Sequence, residues 1–214
     1  MDQRIADIRK DYTKRVLNRQ ETVENPIEQF RRWFKEAQEA EVPEINAMNL
    51  STVGKNGRPS ARIVLLKDIT EKGFVFYTNY QSRKGKELEE HPFAALTFFW
   101  PELERQVRVE GKIKKVDQAT AEAYFSSRPR GSQLGAWASP QSQEIDKRGL
   151  LEVREKEFEE RFAENPIPKP EHWGGYELIP DYVEFWQGRS SRLHDRIAYD
   201  LVNGTQWQRK RLAP

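Results

Sequence analysis

The chain has 214 residues, enough for one domain of ordinary to large size or two small ones. Hydrophobic residues make up 36% and charged residues 33%, yet 11 Phe, 7 Tyr and 6 Trp spread along the chain demand a buried core and exclude disorder. Thirty-six basic against 34 acidic side chains leave a net charge of +2, so no global field drives nucleic-acid or membrane binding, and with no cysteine, disulfides, thiolate zinc sites and cysteine nucleophiles are excluded.

Met1–Gln20 is mostly charged and polar, which does not suit a signal peptide, and no apolar run approaches the ~20 residues of a membrane helix. A reducing, cytoplasmic setting is expected. Within that segment Ile5, Ile8, Tyr12 and Val16 recur at helical spacing and predict a docked helix. Asn25-Pro26 followed by Glu28 predicts an N-cap, a first-turn proline and a reciprocal carboxylate. The helix they start carries Ile27, Phe30, Trp33, Phe34 and Ala37 on one face and ends before Pro43.

From Ala47 to Val116 the period changes to two. Strands are predicted at Ala47–Val53, Ser60–Leu66, Phe74–Thr78, Phe93–Trp100 and Arg105–Val116, with turns at Asn56-Gly57 and Lys72-Gly73. A short helix, Arg83–Glu90, stops before Pro92. Asp117 caps a helix running to Ser127, and Ser142–Phe162 reads as another. After the proline-rich stretch Asn165–Pro170 come strands Gly175–Ile179, Tyr182–Gln187 and Arg192–Leu201. Asn203-Gly204 then turns the chain into Thr205–Arg211. The alternation predicts a mainly antiparallel β fold with inserted helices, an α+β architecture curled into a barrel. No internal repeat or clean linker divides the chain, so a single domain is expected over 1–214.

No P-loop and no GxGxxG occurs, and His91, His172 and His194 are too scattered for a metal site, so none is expected. What stands out is a set of cations where a fold would not want them. Ser82-Arg83-Lys84-Gly85-Lys86 places three positive charges at a helix start, a position that favours an anion. A solvated surface turn is the other reading, and the residues alone do not choose. Arg62-Ile63-Val64-Leu65-Leu66-Lys67 puts an arginine inside an apolar strand, with Asp68 as the nearest partner. Positions 62 and 67 point to opposite faces of a regular strand, so serving one site requires a bulge or the strand end to re-aim Lys67. The segment from Tyr124 to Gln133 gathers Arg128, Arg130 and several hydroxyls around a Pro/Gly break. These suit a phosphate monoester, or, more simply, helix capping by Arg128. Period two aligns Arg192, His194 and Arg196 on one strand face, a repulsive row unless it is fully wet or carries an anionic or electron-rich ligand. Trp186 offers a flat surface nearby for an aromatic ring. Together the cations suit two phosphates and planar rings, with the chemistry carried by a bound cofactor.

At these residues the chain resembles the pyridoxine (pyridoxamine) 5′-phosphate oxidase family. The resemblance runs over nearly the whole chain: RIVLLK at 62–67, FYTN at 76–79, SRK at 82–84, LERQV at 103–107, SRPR at 127–130, GAW at 135–137, FWQG at 185–188 and RLHDR at 192–196. It implies an FMN-binding split β-barrel acting as a homodimer, with 1–20 as a mobile N-terminal segment and 166–214 as a C-terminal strand region completing the dimeric site. Arg62, Ile63, Val64, Leu65, Leu66, Lys67, Tyr77, Thr78, Arg83 and Lys84 would cradle FMN. Gln106, Gln141, Ser142, Trp186 and Arg196 would complete that site, some from the other subunit. Lys67, Tyr124, Arg128 and Ser132 would hold the substrate phosphate, with Arg192 and His194 as catalytic residues against the pyridine ring. Arg9 and Tyr12 match the substrate-covering segment, while Lys10 and Asp11 between them depart from it. The implied reaction oxidises pyridoxine or pyridoxamine 5′-phosphate at C4′ to pyridoxal 5′-phosphate, a hydride equivalent passing to FMN and O2 giving H2O2. His194 next to arginines is expected to be neutral at pH 7. Two other readings remain: a non-catalytic flavin- or haem-binding split barrel, which needs no residues around Arg128 and Arg192, and a nucleic-acid-binding barrel, which the near-neutral charge disfavours.

Overall fold

The computed structural model describes residues 4–7 and 11–214. Among these are nine strands: β1 (Ala47–Val53), β2 (Pro59–Leu65), β3 (Asp68–Ile69), β4 (Phe74–Asn79), β5 (Phe93–Trp100), β6 (Arg105–Lys115), β7 (Trp173–Gln187), β8 (Asp195–Val202) and β9 (Gln206–Leu212). They form one sheet in the order β2-β1-β5-β6-β7-β4-β3, with β8 on β7 and β9 on β8. The pairings β3–β4, β4–β7, β7–β8 and β8–β9 are antiparallel. Five α-helices accompany them: α1 (Pro26–Glu39), α2 (Arg83–Glu90), α3 (Gln118–Ser127), α4 (Arg130–Ala138) and α5 (Gly149–Phe162). None of these is long and apolar enough to cross a membrane. The mainly antiparallel α+β class is as expected. By contacts the chain divides into two compact units, the first made of Met1–Leu50, Ala95–Gly111 and Pro180–Pro214, the second of Ser51–Ala94 and Lys112–Ile179.

In the first unit, α1 begins where Asn25 Oδ1 accepts from the amides of Ile27 (2.8 Å) and Glu28 (3.3 Å), with Pro26 in the first turn. The Glu28 carboxylate lies against Arg31 instead of reaching back to Asn25. The helix buries Ile27, Phe30, Trp33 and Ala37, at spacings that keep one stripe inward. Phe30 meets Phe98 at 4.8 Å between ring centres, and Trp33 meets Phe185 edge-on at 5.1 Å. Each such fully buried ring contributes about 2–3 kcal/mol of transfer free energy.

The predicted N-terminal helix is not there among the described residues, Ile8 lying outside them. Among the described residues of this segment only the 3-10 turns at 5–7 and 19–21 are helical, and two of the amides between them serve side-chain acceptors. Lys14 N–H donates to the Glu104 carboxylate (3.0 Å) and Leu17 N–H to Asp195 (3.1 Å), which leaves no ladder to close. The predicted Arg192–Leu201 strand also starts late, at Asp195. Before it, Ser191 and Arg192 adopt left-handed φ of 55° and 61° in a 3-10 turn closed by Leu193 N–H on Ser190 C=O. Arg192, His194 and Arg196 therefore do not share a strand face. The closing hairpin is as expected: Asn203 and Gly204 both have positive φ, the geometry of a tight turn between twisted strands.

In the second unit the core gathers Phe125, Leu134, Phe162, Ile167 and Trp173. Ser82 Oγ caps α2 by accepting from Gly85 N–H (3.3 Å), and Asp117 caps α3 through Thr120 N–H (2.8 Å). A Cβ on Gly85 would lie 2.1 Å from the Tyr80 carbonyl oxygen, so only glycine fits that turn. Helix α4 was hidden in the sequence by Pro129 and Gly131; the proline precedes its first residue and breaks nothing. The predicted Ser142–Phe162 helix is only α5, because Ser142 sits at φ 67°. The predicted break at Pro180 is absent. Residues 173–178 pair with β4 and 182–187 with β8, so the proline falls between paired stretches and β7 runs on through 15 residues.

Candidate active site

A cavity of about 490 Å³ opens in the second unit. Strand β2 delivers Arg62, Ile63, Val64 and Leu65 to it, and Lys67 follows just past the strand end. The strand ends at Leu65, and Lys67 N–H bonds Val75 C=O beyond it. The face conflict between positions 62 and 67 is resolved there. Leu66 is buried and outside this lining. Tyr77 and Thr78 come from β4, Lys84 from the first turn of α2, and Tyr124, Arg128, Ser132 and Gln141 from α3, α4 and the segment after it.

The cations are held in three different ways. Arg62 donates to Thr52 Oγ1 and Ser60 Oγ (both 2.5 Å) and pairs with Glu87 at 3.2 Å. Burial pushes the Glu87 carboxyl up, but the hydroxyls of Ser60 and Thr52 and the guanidinium groups of Arg83 and Arg62 outweigh it and hold it at about 2. Lys84 is 8% exposed, and its ammonium donates to Gln141 Oε1 (3.0 Å) and Thr78 Oγ1 (3.2 Å), both neutral acceptors. Burial, then the charge of Arg62, lowers its pKa. Arg128 lies over Trp173 (4.8 Å) and Phe125 (5.5 Å), and burial lowers it as well. Its Nη1 is buried with no hydrogen-bond partner among the described residues. An orphaned guanidinium nitrogen costs free energy until an acceptor arrives, which argues against a role in helix capping alone. Beside it, Tyr77 stacks on Tyr124 at 3.9 Å, and burial, with Tyr124 next, pushes Tyr77 up to about 12.

Arg83 and Ser142 do not line this cavity. They border another, of about 530 Å³, with Lys55 and Lys86. Arg83 pairs with Glu87 one turn on (2.8 Å), which offsets the unfavourable charge at the helix start.

The remaining predicted residues lie in the first unit. Tyr12 meets Trp186 edge-on at 5.8 Å and His194 at 6.0 Å, and Trp186 meets His194 at 4.6 Å. A Cβ on Gly188 would strike the Tyr12 ring at 2.7 Å, so the FWQG glycine makes room for that tyrosine. Arg196 donates to both oxygens of Glu184 (2.8 and 2.9 Å), a bidentate pair sealed by Tyr182 on the same carboxylate. Burial pushes Glu184 up, and the bonds from Arg196 and Tyr182 bring it below the ordinary range. Gln106 is half-buried on β6, and Arg192 is exposed. Arg9 lies outside the described residues. Among those residues no cluster could hold a metal.

Glu87, Trp173 and Glu184 were not anticipated. Glu87 had a legible signal, a carboxylate four residues after Arg83 on a short helix. Trp173 and Glu184 gave none, because the contacts of Trp173 with Tyr77 and Arg128 are tertiary and those of Glu184 with Arg196 depend on how β7 pairs with β8.

Comparison with known proteins matches residues 34–162 to the pyridoxamine 5′-phosphate oxidase family and residues 173–214 to the pyridoxine 5′-phosphate oxidase C-terminal dimerisation region. The pyridoxine/pyridoxamine 5′-phosphate oxidase of Trichormus variabilis is 55% identical over 214 residues, covering 100% of both chains. That of Burkholderia ambifaria is 56% identical over 212 residues, 98% of this chain and 99% of its own. Among solved structures, PhzG of Burkholderia lata, in complex with tetrahydrophenazine-1-carboxylic acid, superposes with a TM-score of 0.86 at 30% identity, over 93% of this chain and 98% of its own. A pyridoxamine 5′-phosphate oxidase-related, FMN-binding protein of Nostoc punctiforme superposes at 0.70 with 20% identity, over 86% and 97%. The fold is the split β-barrel of these proteins.

Proposed function

Because the chain belongs to the pyridoxamine 5′-phosphate oxidase family, we propose that it is an FMN-dependent oxidase that converts pyridoxine and pyridoxamine 5′-phosphates to pyridoxal 5′-phosphate. The observation that carries this reading is the partnerless, buried Nη1 of Arg128 in a cavity that also holds Lys84 and Arg62. A guanidinium fork and an ammonium fit phosphate oxygens, and the flat rings of Tyr77, Tyr124 and Trp173 suit a heterocycle. FMN fits this donor set, with its contacts assigned to Arg62–Lys67, Tyr77, Thr78, Lys84 and Gln141. When bound, it supplies the acceptor of the hydride equivalent from C4′ and passes the electrons to O2, giving H2O2.

The chain's own part is binding and orientation. Lys67, Tyr124, Arg128 and Ser132 take the substrate phosphate, which anchors C4′ at a fixed distance from the site's cationic wall. Arg192 and His194 lie against the pyridine ring and stabilise charge shifting onto its oxygen substituent. Arg83, Gln106, Ser142, Trp186 and Arg196 complete the flavin contacts in a homodimer. The C-terminal dimerisation match supports that assembly. Residues 1–20 then cover the substrate, with Arg9 and Tyr12 as contacts.

Anaerobic reduction tests the reading. Purified protein loaded with FMN should lose its yellow absorbance on adding pyridoxine 5′-phosphate and regain it with O2. Protein that does not bind FMN sinks the proposal. Bleaching by tetrahydrophenazine-1-carboxylic acid, the compound in the PhzG complex, but not by either vitamer phosphate would reassign the substrate.

A further inference from the structure

His194 sits in the short loop between β7 and β8, and the loop is closed on itself. The main-chain N–H of Arg189 donates to the Nδ1 atom of His194 at 3.1 Å. Leu193 N–H donates to Ser190 C=O at 3.1 Å, and the Arg189 guanidinium reaches Asp195 at 3.3 Å. Asp195 in turn accepts from Leu17 N–H (3.1 Å) and Arg211 (2.7 Å), so the loop is fixed at both ends. The imidazole itself is flanked by Trp186 and Tyr12.

An imidazole nitrogen that accepts a hydrogen bond carries no proton. A neutral ring has one N–H, so with Nδ1 accepting, the proton is on Nε2. Protonating Nδ1 would set two N–H groups head to head and add a charge beside Arg192. Burial, then the charge of Arg192, lowers the His194 pKa in the same direction. We propose that the Arg189 main chain locks His194 as the Nε2–H tautomer, so that His194 serves the site as a fixed hydrogen-bond donor through Nε2 and not as a proton acceptor. The amide of Arg189 is then a positioning group: it acts on substrate only through the ring. The inference deepens the oxidase reading and rests on it for the identity of the acceptor, an electron-rich oxygen or nitrogen on the substrate ring.

The first test needs neither substrate nor turnover. In ¹⁵N-histidine-labelled protein, with and without FMN, the His194 ring is assigned by comparison with His194→Gln. The expected pattern has Nδ1 at the unprotonated position and Nε2 at the protonated one at neutral pH. A reversed or averaged pattern overturns the proposal. The second test compares His194→Gln with His194→Asn. The glutamine amide N–H occupies the place of Nε2, whereas the asparagine amide occupies that of Nδ1. Glutamine is expected to retain kcat/KM within about tenfold of wild type and asparagine to lose about a hundredfold, the span of one good hydrogen bond. Equal, severe loss in both marks a base that no amide replaces and sinks the idea. A wild-type flavin that the vitamer phosphates never bleach would instead remove the oxidase reading, and the nitrogen pattern would still decide the tautomer.

Discussion

Arg105 in the first unit and Arg128 in the second are both arginines laid over a tryptophan, at 4.2 Å from Trp33 and 4.8 Å from Trp173. They differ in what else they touch. Arg105 donates to Glu36 (2.8 Å) and to Gln187 (3.0 Å), and Gln187 in turn bonds the carbonyls of Leu103 and Glu104. Arg128 keeps a buried nitrogen without a partner. Other cations show the same contrast: Arg196 and Arg211 in the first unit and Arg62 and Arg83 in the second answer to carboxylates, while Lys84 hydrogen-bonds an amide and hydroxyls. A saturated buried cation reads as architecture, and an unsaturated one is what the proposed binding site rests on.

The largest expected effect tests the saturated side. Arg105→Met in FMN-free protein leaves Gln187 Oε1 without its donor and Glu36 with Arg15 alone, and should cost about 4 kcal/mol, read as a fall in Tm of roughly 10 °C. Undiminished stability would mean that the Arg105 pair is not a structural element. Next comes Glu87, the carboxylate that anchors Arg62. Its pKa is about 2 in the fold against an ordinary 4.5. The stabilisation is whole above about pH 4.5 and is lost as pH falls toward 2, about 3 kcal/mol in all. Acid denaturation of wild type and Glu87→Gln checks this: the variant should be less stable at pH 6 and show a flatter acid limb over that window. Parallel acid limbs would show that Glu87 is not the titrating group.

Arg128→Met probes the unsaturated side. It removes an unpartnered nitrogen and gives up only the contacts over Trp173 and Phe125, so the melting temperature should change little, while KM for pyridoxine 5′-phosphate rises about a hundredfold. A melting loss equal to that of Arg105→Met would erase the distinction between the two arginines.

That distinction was only half legible in the sequence. Cap, stop and period placed α2, α3, β1 and β5, because Pro92, Asp117 and the alternation of β5 act locally. They misplaced the segment around Tyr12 and the loop at Arg192, where main-chain amides are claimed by Glu104, Asp195 and His194, partners that local spacing does not reveal. The site shows the same split. Arg62 and Lys84 stand out because an arginine in an apolar strand and cations at a helix start conflict with local physics, whereas Arg128 reads locally as a helix cap and is singled out by the resemblance. Their partners were missed: Arg62 pairs with Glu87, 25 residues on, and the Trp173 platform lies 45 residues beyond Arg128 in the chain. Local conflict marks a functional side chain, but what resolves the conflict is tertiary.

The smallest effect sharpens the comparison most finely, because it uses one kind of interaction in both units. Asn25 caps α1 and Ser82 caps α2, each through a side-chain oxygen on main-chain amides. Asn25→Ala and Ser82→Ala should each cost about 1 kcal/mol of stability in FMN-free protein. Their consequences for binding should differ. The first turn of α1 carries Glu28, which already suits the positive helix end, and no cation of the cavity depends on it. The first turn of α2 carries Arg83 and Lys84, and Ser82 Oγ lies 3.4 Å from the Lys84 ammonium, so its loss frees the cation along with the turn. FMN titration followed by fluorescence quenching should therefore weaken severalfold for Ser82→Ala and stay at the wild-type value for Asn25→Ala. Equal FMN affinities would show that the cap of α2 serves the helix alone and that Lys84 is positioned by Thr78 and Gln141.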